Sequence, residues 1–147
     1  MPHAIWALSL PLGTILIFVP LIVSKLLQLK SGVAIKNSSP REHATSQEFA
    51  SKDAHGYMRR GYAAHQNSWE AMIVWSTAVL LANVMGVNWD RMDDYAGVWL
   101  AARVLYIPAY ILIEDDNKSY LRSFIFAVGF VTSLALMFEG ALKADEY

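Results

Sequence analysis

Cysteine is absent from this 147-residue chain, so no disulfide can form and no thiolate of its own can act as nucleophile or metal ligand. Redox compartment therefore leaves no trace in the sequence. A surplus of basic charge is missing too: the formal net charge is −1, which gives no electrostatic basis for binding nucleic acid. There is no G-x-S-x-G nucleophile elbow and no glycine-rich phosphate loop, which removes the common hydrolase and nucleotide-binding readings. Asp53, His55 and His65 do not have the spacing of a metal site, so no metal is expected. Internal repeats, low-complexity tracts and a G-x-x-x-G helix-packing motif are likewise missing.

Apolar residues fill the chain instead. They make up 55% of it, and the mean hydropathy is +0.30, above the usual range of a globular domain. A helix needs about 20 predominantly apolar residues to cross the hydrocarbon of a bilayer. Runs of this kind extend from Ile5 to Leu29, Ala71 to Trp89 and Tyr95 to Ile113, with a shorter one from Ser123 to Phe138 that can be extended back to Tyr120. The first has no basic region before it and exceeds the roughly 7–15 apolar residues of a secretory signal, so it reads as a retained span. The expected fold is all-α: a four-transmembrane-helix antiparallel bundle in one domain over 1–147, with helices at 5–30, 55–86, 93–113 and 119–142. The long polar loop KSGVAIKNSSPREHATSQEFASKDAH disfavours a continuous helix, and the short later connections place consecutive helices side by side.

Four spans put the first and third loops on one face, together with Lys30, Lys36, Arg41, Lys52, Arg59, Arg60, Lys118 and Arg122. The opposite face, with both termini, holds Arg91 and Lys143. The positive-inside rule makes the first face cytoplasmic, or its organellar equivalent, and the termini non-cytoplasmic. The polar residues near that first face are patterned. Arg60, Ala63, Asn67 and Glu70 recur at i, i+3, i+7 and i+10 on one helix face, as do Arg103, Tyr106 and Tyr110 at i, i+3 and i+7, with Pro108 expected to bend that helix. Arg122 and Ser123 open the last span at the same depth. Ionisable groups inside a membrane face a bundle interior or cavity and pair there, so these residues form a candidate site, with Glu70 expected to pair with Arg60 or Arg103. Structural readings stand beside this one. Arg59, Arg60 and Arg122 also fit headgroup anchors, His65 an interfacial histidine, Tyr106, Tyr110 and Tyr120 an aromatic belt, and Glu70 with Arg103 a purely structural ion pair.

The ordered motifs AAHQNSWEA, ARVLYIPAY and YLRSFIFAVGF resemble the MAPEG family, membrane-associated proteins of eicosanoid and glutathione metabolism, and its bacterial-type branch in particular. The resemblance covers nearly the whole chain. It implies a homotrimer that binds glutathione as cosubstrate between subunits while a lipophilic small-molecule substrate enters from the membrane lipids. It further implies that Asn67 and Glu70 hold the tripeptide, that His65, Gln66, Arg60, Arg103, Tyr106 and Tyr110 complete its pocket, and that Arg122 and Ser123 act catalytically by stabilising the glutathione thiolate. The activity implied is that of a glutathione-dependent transferase or peroxidase acting on lipophilic electrophiles or lipid hydroperoxides. Ala63 stands where the eicosanoid enzymes usually have an arginine, Phe126 where some members have a tyrosine, and Lys30 is the nearest basic residue to the arginine expected near the end of the first helix. These departures motivate an alternative: a non-catalytic accessory subunit working with other membrane subunits.

Overall fold

The computed structural model describes residues 4–36 and 38–144; residues 1–3, 37 and 145–147 of the expected domain lie outside these. Among the described residues every regular element is helical: α1 (Ile5–Lys30), α2 (Pro40–Thr45), α3 (Gln47–Lys52), α4 (Tyr57–Val84), α5 (Trp89–Leu112) and α6 (Asp116–Ala144). The four long helices match the expected order, and the polar loop folds into the two short ones. The two largest differences in boundary are at the starts of α5 and α6. α5 begins at Trp89 rather than Asp93 because the Asn88 side chain accepts from the backbone N–H groups of Asp90 and Arg91 at 2.8 and 3.4 Å, stopping off free donors of the first turn. α6 begins at Asp116 rather than Ser119, where the Asp115 carboxylate accepts from Asn117 N–H at 2.8 Å. α1 and α4 both end on glycines in the left-handed region, Gly32 and Gly86, and the next residue's N–H closes the turn: Val33 to Gln28 O at 3.0 Å and Val87 to Ala82 O at 2.9 Å.

Contacts along the helices establish their directions. On α1 and α4, Gly61 packs on Pro20 and Ser24 while Trp75 Nε1 donates to Ser9 Oγ at 2.8 Å, so the pair runs antiparallel. α4 and α5 are also antiparallel, through Arg60 to Ile111 and Arg103 to Ser68, as are α5 and α6, through Arg91 to Glu139 and Arg122 to Tyr110. The result is an up-down-up-down bundle. α1, α5 and α6 are each long and apolar enough to cross a membrane. α4 is 28 residues long, but its first half carries Arg59, Arg60, His65, Gln66, Asn67 and Glu70. α5 continues as a helix through Pro108.

Helices in lipid gain no hydrophobic drive from one another, so close packing and interhelical hydrogen bonds must hold them. The middle of the bundle shows both. Trp75 and Trp99, fully buried, stack at 4.9 Å with their planes 12° apart. Gly13 brings α1 against them: a Cβ there would lie 2.9 Å from Trp99 Cη2 and 2.8 Å from Met72 Sδ. Ser9 accepts from the Trp75 indole and donates to Trp6 O at 2.6 Å, so both polar groups are satisfied in an apolar setting.

Candidate functional site

Toward the end of the bundle that carries the first loop, α4, α5 and α6 leave an open hollow of about 570 Å³, open solvent included. α4 contributes Asn67 and Glu70 to it, α5 Tyr106 and Tyr110, and α6 Arg122, Ser123 and Phe126. The helical spacings i, i+3 and i+4 place each group on one face, and the antiparallel neighbours bring these faces to one depth. Of the ten site residues expected from the sequence, the hollow unites Asn67, Glu70, Tyr106, Tyr110, Arg122 and Ser123.

The hollow has two charges to spare. Glu70 is exposed, and among the described residues it forms neither a hydrogen bond nor an ion pair. The half-buried Arg122 lies with its guanidinium carbon 4.7 Å from the Tyr110 ring centroid, and no carboxylate among the described residues pairs with it. Between them Tyr106 OH accepts from Asn67 Nδ2 at 3.0 Å, which leaves the phenol proton free to donate elsewhere. Ser123 Oγ reaches Ser119 O only at 3.4 Å, a long bond that a better acceptor would replace. The wall opposite is apolar: Phe126 packs on Tyr106 with ring centroids 5.8 Å apart. Chemically, the site can take a ligand with an amino group at one end, an anionic group at the other and amide groups between them.

The remaining expected residues sit elsewhere. Arg103 is only 3% exposed and lies behind Tyr106, donating to Ser68 Oγ at 3.1 Å with its guanidinium carbon 4.3 Å from the Tyr106 ring centroid. The expected ion pair of Glu70 with Arg60 or Arg103 does not form. Ser68, which faces Arg103, and Glu70 are two positions apart on α4 and so point to nearly opposite sides of the helix. Arg60 donates to Ile111 O at 2.8 Å and His55 O at 2.6 Å, satisfying an unpaired carbonyl at the end of α5. It borders an adjoining hollow of about 520 Å³ that shares Tyr110 and Arg122 with the first and adds Arg59 and Ala63. His65 turns to α1, with Nδ1 2.7 Å from Ile17 O. Gln66 lines a hollow against the first loop with Arg41, Arg59 and Tyr62.

Sequence reasoning assigned no role to Ser68 and read Arg59 as a headgroup anchor, whereas Arg59 lines two hollows. A serine within a helix carries no signal until its neighbour is known, whereas Arg59 could have been found from its place one residue before Arg60 in the first turn of α4.

The family model of the MAPEG family matches residues 4–142 of the chain. No curated protein and no solved structure matches the chain. With apolar helices fit to cross a membrane, an all-helical bundle and a family match over nearly its whole length, the chain is an integral membrane protein that belongs to the MAPEG family.

Proposed function

We propose that this protein is a membrane-embedded, glutathione-dependent transferase or peroxidase whose second substrate is a lipophilic electrophile or a lipid hydroperoxide. One observation carries the reading: a carboxylate, Glu70, and a cation, Arg122, neither paired with an opposite charge among the described residues, face the same hollow with Asn67 and Tyr106 between them. Glutathione is a tripeptide with an amino group, carboxylates and a thiol, and family membership favours it as cosubstrate. In this reading Glu70 takes the amino end, Asn67 and Tyr106 the peptide, and Arg122 with Ser123 the sulfur. A free thiol has a pKa of about 8.5, and a neighbouring cation lowers it by favouring the anion. The thiolate then attacks an electrophilic carbon, forming a C–S bond as the leaving group departs with its electron pair. With a hydroperoxide, it attacks the distal oxygen. The O–O bond breaks, an alcohol leaves after taking up a proton, and a second glutathione converts the sulfenic acid to disulfide and water.

α4 serves as the fourth span in this arrangement, the first loop faces the cytoplasm, and the termini lie on the other side. A homotrimer covers the open side of the hollow. Arg60 and Arg103 act as supports, while His65 and Gln66 act from the flanks. Titration calorimetry of the detergent-purified protein tests the proposal: heat of glutathione binding is expected at millimolar ligand, and its absence from folded protein would defeat it. Arg122→Ala should lower conjugation turnover by roughly 10²-fold, as loss of an anion-stabilising donor does elsewhere, and leave the assembly intact.

A second reading, a non-catalytic accessory subunit, draws on Phe126 and Ala63. Phe126 brings a ring and no hydroxyl to the hollow and stacks on Phe130 at 6.3 Å. Appreciable conjugation of a standard electrophile by the isolated protein would rule this reading out.

A further inference from the structure

At the other end of the bundle, a groove of about 610 Å³ runs between α5 and α6. Its mouth holds Arg91, Asp94 and Tyr95, and its floor is Val98 and Val131 with Thr132. Arg91 uses Nε and Nη2 on the two oxygens of Glu139 at 3.3 and 3.2 Å, and its Nη1 makes no hydrogen bond among the described residues. Asp94 is exposed and has neither a hydrogen bond nor an ion pair among the described residues. The mouth thus presents a guanidinium edge and, one helical turn away, a carboxylate that feels Arg91 only through space. Side chains three residues apart on a helix stand about 5–6 Å from one another.

Two observations show what kind of molecule fits. The mouth lies level with the start of α1, since the Asp93 carboxylate accepts from Trp6 N–H at 2.8 Å, and an aromatic belt of Trp6, Trp89 and Tyr95 marks that level as the membrane interface. From there the floor leads toward the bilayer centre over apolar groups that the bundle covers only in part: Val98 is 49% and Val131 60% exposed. One heptad deeper, Leu105 on α5 and Phe124 on α6 continue the track, 60% and 67% exposed.

The geometry points to a binding site for one phospholipid with a primary-amine zwitterionic headgroup, its phosphate on Arg91 Nη1, its ammonium on Asp94 and an acyl chain along Val98 and Val131. The excess carboxylate selects the amine: an ammonium donates hydrogen bonds to Asp94, a quaternary choline cannot, and a headgroup with only anionic charge is repelled. This site is separate from the glutathione hollow and does not depend on it.

Native mass spectrometry of the detergent-purified protein, titrated with phosphatidylethanolamine, phosphatidylcholine or phosphatidylglycerol, tests the assignment. Phosphatidylethanolamine is expected to be retained at about tenfold lower lipid than the other two, the worth of one charge-assisted hydrogen bond. Asp94→Asn, at an exposed position that keeps its helix, should bring its retention down to the phosphatidylcholine level. Val98→Trp should displace the lipid while circular dichroism stays unchanged. Equal retention of the three lipids, or an amine preference that survives Asp94→Asn, overturns the proposal. So does loss of oligomer, rather than of lipid, in Val98→Trp, because the groove would then be an interface between copies of the chain.

Discussion

Arg103 carries its charge into the bundle with one hydrogen bond, to Ser68, and one aromatic face, that of Tyr106. An arginine has five N–H donors, so the site stabilises this cation poorly, and an apolar side chain of similar length can replace it at little cost. Arg103→Met is therefore expected to keep thermal stability in detergent within about 1 kcal/mol, since Ser68 Oγ keeps its bond to Ala64 O at 2.7 Å. Arg103→Ala, which opens a void beneath Tyr106, should cost about 2–4 kcal/mol. Glu70 allows a cleaner separation. It has no partner among the described residues to lose, so Glu70→Gln should shift stability by no more than about 0.5 kcal/mol while abolishing calorimetric glutathione binding. A stability loss as large as that of Arg103→Ala would make Glu70 a structural residue.

Among the elements, the contact of α1 with α4 has the least slack. A Cβ on Gly61 would lie 2.9 Å from the backbone oxygen of Pro20, and backbone cannot turn aside as a flexible side chain can. Gly61→Ala should destabilise by about 1–3 kcal/mol through overpacking, read from the thermal midpoint in detergent. The start of α4 depends on the buried Asp53, whose carboxylate accepts from Met58 and Arg59 N–H at 3.1 and 2.9 Å. The same loop is tied by Lys36, which donates to Glu48 at 2.9 Å. That bond, with the charge of Lys36, holds the Glu48 carboxyl below its ordinary 4.5. Because the folded value is the lower one, this stabilisation is present above the ordinary value and is lost as pH falls through the lowered one. A carbon-detected NMR titration should place Glu48 below 4.5, and Lys36→Gln should raise it.

The molecule as a whole presents apolar residues outward on each of its long helices, among them Leu8, Ile22, Leu80, Val104 and Phe138. A surface like this is at rest only against lipid or other protein. The Glu70 hollow interrupts it, and an exposed carboxylate at the edge of hydrocarbon needs water, a ligand or a neighbouring copy beside it. If a neighbour covers that opening, Ile73, one turn deeper on α4 and 63% exposed, lies at the seam. The chain has no cysteine, so Ile73→Cys is the sole thiol in its variant. Oxidation in detergent should give a cross-linked dimer on a denaturing gel, whereas a monomer band alone would place this face against lipid.

Much of this was legible in the order of residues. Apolar runs long enough to cross hydrocarbon need no tertiary knowledge to be seen, and the i, i+3 spacing of Asn67 with Glu70 and the i, i+4 spacing of Tyr106 with Tyr110 put each pair on one face by helical geometry alone. Boundaries were less visible, because the side chains of Asn88 and Asp115 start α5 and α6 earlier than hydropathy suggests. Pairing was the part that only the folded bundle could decide. Glu70 and Arg103 occupy the same depth, yet each helix's rotation about its axis sends Arg103 inward to Ser68 and Tyr106 and leaves Glu70 facing the open hollow with Arg122. Periodicity tells which residues share a face, but the angle at which that face meets its neighbours comes from close contacts such as Gly13 against Trp99 and Gly61 against Pro20. Those contacts exist only once all the helices are in place.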